Sequence, residues 1–158
     1  MIRLEVRINT QTLLVFDNEK LIKEYIISSA KNGVGECDGS EQTPRGWHEI
    51  RAKIGSGCAV NSVFVGRKPT GEIFSHQFRK LFPERDWILT RLLWLRGLEI
   101  GKNRLGKVDS MRRYIYIHGT PDDEVMGVPN SKGCLRMRND HIIELFDIVP
   151  VGTRVLIK

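Results

Sequence analysis

The segment Met1-Ile2-Arg3-Leu4-Glu5-Val6-Arg7-Ile8 constrains this chain more than any other, because it alternates polar and apolar side chains in strict period two. Only an extended strand sends every second side chain to one face, so the segment requires a sheet with one side covered. Further short runs follow the same logic. Asp17-Asn18-Glu19-Lys20 separates apolar runs at 12–16 and 21–27 as a hairpin turn would, and strands are expected near 47–54, 60–65, 112–118 and 153–157. The glycine-rich, polar segment 33–46 reads as a long loop, which in a compact domain usually serves function.

Two helices are expected among the strands. Asp86 suits an N-cap for 87–96, whose leucines and tryptophans recur at three- and four-residue steps before Gly97. The second runs over 140–149, capped by Asn139 or Asp140 and ended by Pro150. Its Ile142, Ile143, Leu145 and Phe146 face should pack on the sheet beneath Cys134, leaving His141 exposed.

With 158 residues, 41% of them hydrophobic, and no linker or repeat, the chain is expected to form one domain over 1–158. The net charge of +6 suits an anionic substrate. Basic residues form no stripe with interleaved aromatics, so nucleic acid is not expected as a partner. The apolar stretch 87–95 is too short and too charged to span a bilayer, and no membrane partner is expected. The alternating N-terminal segment lacks the pattern of an export signal, which gives a cytoplasmic expectation with three reduced cysteines. Four histidines and three cysteines show no close ligand spacing, so neither metal nor other cofactor is expected.

Cys37 and Cys58 read as ordinary small side chains. Cys134 differs, since it follows Gly133 and sits among Ser131, Lys132, Arg136 and Arg138, whose cations favour thiolate over thiol. Thirteen residues before Ser131, His118 closes the alternating run Tyr114-Ile115-Tyr116-Ile117 and precedes Gly119. A cysteine, a histidine and glycine-flanked backbone amides are the minimum equipment for thiolate acyl transfer. The alternation puts one face of Tyr114 to Ile117 in the core and lets Tyr116 border a pocket. His48 and His76 read as structural residues, His48 with the alternative of lining a substrate groove.

His118-Gly119-Thr120, followed by Gly127, Pro129 and Ser131-Lys132-Gly133-Cys134-Leu135-Arg136-Met137, closely resembles the catalytic core of the YkuD family of L,D-transpeptidases. The resemblance extends to Thr43-Pro44-Arg45-Gly46 as the family's T-P-x-G motif, to Gln11 through Phe16 as its first hairpin, and to Gly152 through Ile157 as its closing strand. It implies a mainly β, sandwich- or barrel-like sheet with a few short helices. It further implies Cys134 as nucleophile, His118 as its base, the Gly119 carbonyl orienting the second ring nitrogen, and backbone N–H groups of Gly133 and Cys134 holding the oxyanion. Arg136, Ser131, Lys132 and Tyr116 are the implied substrate contacts. Lys132 replaces the family's usual histidine, so a positive charge beside the thiol stands where an imidazole is expected.

The implied substrates are peptidoglycan stem peptides or muropeptides, with carbapenems acylating Cys134. L,D-Carboxypeptidase action in cell-wall recycling, removing a terminal D-alanine from a tetrapeptide, is the preferred expectation. An L,D-transpeptidase that cross-links or exchanges D-amino acids is the alternative, and a non-catalytic muropeptide-binding module is a second.

Overall fold

The computed structural model describes residues 1–158 and gathers ten strands into one mixed sheet. In chain order these are β1 (Ile2–Arg7), β2 (Thr12–Asp17), β3 (Lys20–Ile26), β4 (Gly46–Ile54), β5 (Ser62–Val65), β6 (Lys68–Ile73), β7 (Ile88–Gly97), β8 (Tyr116–Gly119), β9 (Leu135–Met137) and β10 (Arg154–Ile157). Helix α1 (His76–Leu81) precedes β7, and α2 (Asn139–Ile148) precedes β10. The strand order is β3-β2-β1-β10-β4-β7-β5-β6, while β8 pairs with β7 and carries β9 on its far side. The mainly β architecture expected from the period-two runs is the one that forms.

The N-terminal alternation acts as its pattern demands: Leu4 and Val6 are fully buried, in a cluster of 19 buried residues that also holds Ile117, Leu135, Ile142 and Leu145. Each such side chain contributes about 2 kcal/mol by leaving water. Helix α2 supplies Ile142, Leu145 and Phe146 to this core as expected, while Ile143 is only partly buried. Its cap differs: Arg138 occupies the N-cap position with no side-chain hydrogen bond, and Asn139 is already helical. His141 is partly buried rather than exposed, its ring 5.2 Å from that of Tyr25.

Segment 87–96 is not a helix but most of β7, the junction that pairs with β4, β5 and β8. The helix-like spacing of its leucines comes from an irregularity between Leu89 and Leu92, where Thr90 takes φ 75° and the strand changes phase. Leu89, Leu92, Leu93 and Leu95 are all fully buried. Burial at about 2 kcal/mol each outweighs helix propensities of a few tenths per residue. The expected strand at 112–118 is likewise shortened to β8, because Arg112 and Leu105 donate backbone N–H groups to the Asp109 carboxylate and fold 109–114 into a turn. Strand 60–65 begins at Ser62, and β6, α1 and β9 lie outside the segments read from sequence.

Candidate active site

Strands β8 and β9 run parallel in the register Ile117↔Leu135 and His118↔Arg136. Ile117 and Leu135 point into the core, so alternation turns Tyr116, His118 and Arg136 to the opposite face, with Cys134 one step before β9 beside Tyr116. The Cys134 Sγ accepts the Tyr116 N–H at 3.3 Å and donates to the Tyr114 carbonyl at 3.4 Å. Tyr114 has φ 57°, a left-handed conformation uncommon for an aromatic residue, and its carbonyl is the one that meets the thiol.

His118 lies behind the cavity wall, 1% exposed. Its Nδ1 is 2.6 Å from the Gly119 carbonyl. A carbonyl only accepts, so Nδ1 carries the hydrogen and Nε2 presents a lone pair. Nε2 is buried without a hydrogen-bond partner. Burial holds the imidazole below its ordinary pKa, opposed by the Asp86 carboxylate and the Gly119 carbonyl, so it is neutral at neutral pH.

Gly119 is fixed from two sides. A Cβ there would stand 2.5 Å from both the Leu89 carbonyl and Asn139 Oδ1. Asn139, though inside α2, turns its side chain back: Nδ2 donates to the Thr120 carbonyl at 2.9 Å, and Oδ1 accepts from Thr90 at 2.6 Å. The strained Thr90 that misled the helix expectation thus helps seat the glycine beside the histidine.

The cations beside Cys134 are not the largest influence on its thiol. Burial pushes the thiol up to about 12, and the Tyr116 N–H, Arg136 and Arg113 offset only part of that cost while Asp86 adds to it. Burial thus favours the neutral form of both thiol and imidazole.

The turn before the sulfur is heavily tied. Ser131, expected to touch substrate, is 4% exposed and instead closes the turn, donating to the Cys134 carbonyl at 2.5 Å and accepting the Gly133 N–H at 3.2 Å. That last bond engages one of the two amides expected to hold an oxyanion. The Cys134 N–H makes no hydrogen bond within the chain. Thr43, from the 33–46 loop, accepts from Ala30 N–H and donates to the Gly133 carbonyl, each at 2.9 Å. Gly133 sits at φ 135°, with the Gln42 carbonyl 3.4 Å from where a Cβ would lie.

A cavity of about 490 Å3 opens over Cys134 and is bordered by Tyr114, Tyr116 and Lys132, as expected for the latter two. Arg136 is different. It is not part of the lining; its guanidinium is paired with Asp86 at 3.2 Å and lies 3.9 Å from Glu124. Arg113 borders the cavity but spends its donors on the Gly35, Glu36 and Gln42 carbonyls and on Ser40. Asp86, Arg113 and Arg67 were not expected at the site. Arg67 occupies the tip of the β5–β6 hairpin, where it and Gly66 take φ 64° and 56°. For a residue with a Cβ this left-handed placement costs about 1 kcal/mol.

The remaining histidines stay apart from the cavity lining. His48 is buried, bonded to the Gly46 carbonyl at 3.0 Å and Ser110 at 2.8 Å, and burial lowers its pKa to about 4. His76 lies 3.7 Å from Asp123 on the surface. No three His, Cys, Asp or Glu side chains group closely enough to hold a metal ion, and no helix is long and apolar enough to cross a membrane.

This geometry has relatives. The family model of the YkuD L,D-transpeptidase catalytic domain matches residues 2–157. The chain is 30% identical to YkuD of Bacillus licheniformis over 156 residues, covering 98% of this chain and 64% of that protein. Its fold is similar to an L,D-transpeptidase from Mycobacterium smegmatis, with a TM-score of 0.64 and 18% identity over 99% of this chain and 58% of the other. L,D-transpeptidase 3 from Mycobacterium tuberculosis, solved with a faropenem-derived adduct, gives a TM-score of 0.61 at 13% identity, covering 99% and 60%. The chain thus spans less than two thirds of the length of each of these relatives. With the matched domain running from β1 to β10, the chain belongs to the YkuD family of L,D-transpeptidase catalytic domains.

Proposed function

We propose that the chain transfers the acyl group of a peptidoglycan stem peptide through Cys134, and that water resolves the thioester to make an L,D-carboxypeptidase that frees a terminal D-alanine. One observation carries the acyl-transfer part of this reading: a buried imidazole, its Nδ1 tied to the Gly119 carbonyl and its Nε2 unpartnered, shares a strand-pair face with the cysteine. A free buried lone pair is costly to keep unless something occupies it during function.

The resting sulfur hydrogen is lodged on the Tyr114 carbonyl. As donor peptide enters, the thiol turns from that carbonyl to His118 and gives its proton to Nε2. Sulfur bonds to the carbonyl carbon at the L-centre, and the pair of electrons moves to oxygen, where the unengaged Cys134 N–H donates. The intermediate collapses, the C–N bond breaks, and the imidazolium returns its proton to the departing amine. Water gives a proton to the same Nε2 as its oxygen bonds to the thioester carbon; the C–S bond then breaks, the imidazolium returns the proton to sulfur, and the tripeptide leaves. Burial disfavours the charged form of both thiol and imidazole, which suits proton transfer in step with attack.

Incubation with a stem tetrapeptide tests this. Free D-alanine with tripeptide alone is expected, and Cys134→Ala should lower its rate at least about 1,000-fold. Cross-linked dimers or D-amino-acid exchange products would instead assign transpeptidation, and muropeptide binding without any turnover would leave a binding module.

A further inference from the structure

We propose that Arg67 reads the free carboxylate of the donor peptide's terminal D-residue, so that the enzyme attacks chain ends in preference to capped or internal bonds. The inference rests on the acyl-transfer reading above and adds the residue that selects the donor.

Three arginines stand near the sulfur, and two are committed. Arg136 is paired with Asp86, and Arg113 is satisfied by backbone carbonyls and Ser40. Arg67 has no carboxylate within 4 Å. Its guanidinium lies 4.9 Å from the centre of the Trp94 ring and 4.7 Å from that of Tyr114, and Nη1 donates to the Tyr116 hydroxyl at 3.3 Å. Stacked on two rings and pinned by a third, the planar fork keeps its orientation while most of its donors remain unused. A carboxylate accepts from such a fork through two parallel bonds.

The backbone supports the same conclusion. Both central residues of the turn are left-handed, a conformation for which asparagine or glycine serves better than arginine. A position that carries strain at the rim of a reactive cavity is one where the side chain is retained for what it contacts. Arg67 borders the same open cavity as Cys134, which puts its fork within the space a peptide acylating the sulfur would enter. Lys132 is also cationic and borders the cavity, but it is exposed and makes neither ring contact nor hydrogen bond, so its ammonium is not aimed.

The test compares a stem tetrapeptide ending in D-alanine with the same peptide ending in D-alaninamide, using the whole chain and variants Arg67→Lys and Arg67→Gly. Glycine suits the turn, so the second variant keeps the hairpin and removes only the fork. The wild type should cleave the free acid about 10- to 100-fold better in kcat/KM, mostly through KM. Arg67→Gly should erase that ratio, whatever it does to turnover of the amide, and Arg67→Lys should retain part of it. Equal turnover of acid and amide by the wild type, or equal loss on both in Arg67→Gly, would overturn the role of Arg67 and leave acyl transfer intact. Release from neither peptide, with no thioester on Cys134, would overturn both.

Discussion

The turn that carries Cys134 and the hairpin that carries Arg67 border one cavity, yet they are held in opposite ways. Around the sulfur, Ser131 and Gly133 are tied to Ser29, Lys31 and Thr43 and Ser131 holds the Cys134 carbonyl, with Ser131 and Thr43 buried. At the hairpin, β6 pairs only with β5, ends the strand order, and is exposed along nearly its whole length. Bond-making geometry tolerates little displacement, so its backbone is fixed by many partners. On the proposed reading the exposed strand can open at low cost, while the Arg67 fork itself is held by Trp94, Tyr114 and Tyr116.

The largest expected effect breaks the rigid side. In Gly119→Ala the new Cβ would press on the Leu89 carbonyl and Asn139 Oδ1, both at 2.5 Å, and backbone cannot yield as a side-chain tip can. Destabilisation of about 3 kcal/mol is expected by urea denaturation, together with loss of D-alanine release as the Nδ1 contact shifts. A loss under about 1 kcal/mol would show this side to be as compliant as the hairpin.

Acid comes next and acts on the same side. His48 bonds Ser110 within the segment that leads into Arg113 and Tyr114, and burial lowers its pKa from 6.5 to about 4. The unfolded chain binds the proton first, so stability is full above about pH 6.5 and drains as pH falls toward 4. That interval corresponds to about 3 kcal/mol. His118, also lowered by burial, pulls in the same direction. Denaturation midpoints measured from pH 7 to pH 4 should fall throughout this window, and a flat profile would remove His48 from the support of the sulfur side.

The two sides were also unequally visible in sequence. Local order shows candidates for chemistry: the proposed roles of His118, Gly119 and Cys134 were legible because a strand, a glycine and a thiol lie in short consecutive motifs. Pairing of distant residues is not local. Asp86 looked like a helix cap because a bulge at Thr90 imitates helical spacing, and instead it neutralises Arg136. The resemblance implied Ser131 as a substrate contact, whereas backbone bonds to Ser29 and Lys31 bury it. The thiolate expectation met an opposing influence for a similar reason, since charges can be counted along a chain but desolvation depends on what packs above. Arg67 left one faint trace, Gly66-Arg67 between Val65 and Lys68, which suits a two-residue turn but does not reveal the rings beneath the guanidinium.

Lys132 gives the smallest expected effect and the sharpest boundary between the two sides. It sits on the buried turn, but its own side chain is exposed, so water and salt screen its charge as they screen the hairpin's. The cations that ease ionisation of Cys134 are Arg136 and Arg113, and Asp86 opposes it. Lys132→Ala should therefore change the rate of Cys134 alkylation by iodoacetamide at pH 8 by less than about twofold, equivalent to about 0.3 in pKa. Asp86→Asn, which removes a carboxylate acting through the enclosed side of the cavity, should raise that rate severalfold. If Lys132→Ala slows alkylation more strongly than Asp86→Asn speeds it, the ammonium that stands in the usual histidine's place reaches the sulfur after all. The boundary between buried and screened charge would then lie on the cavity side of Lys132.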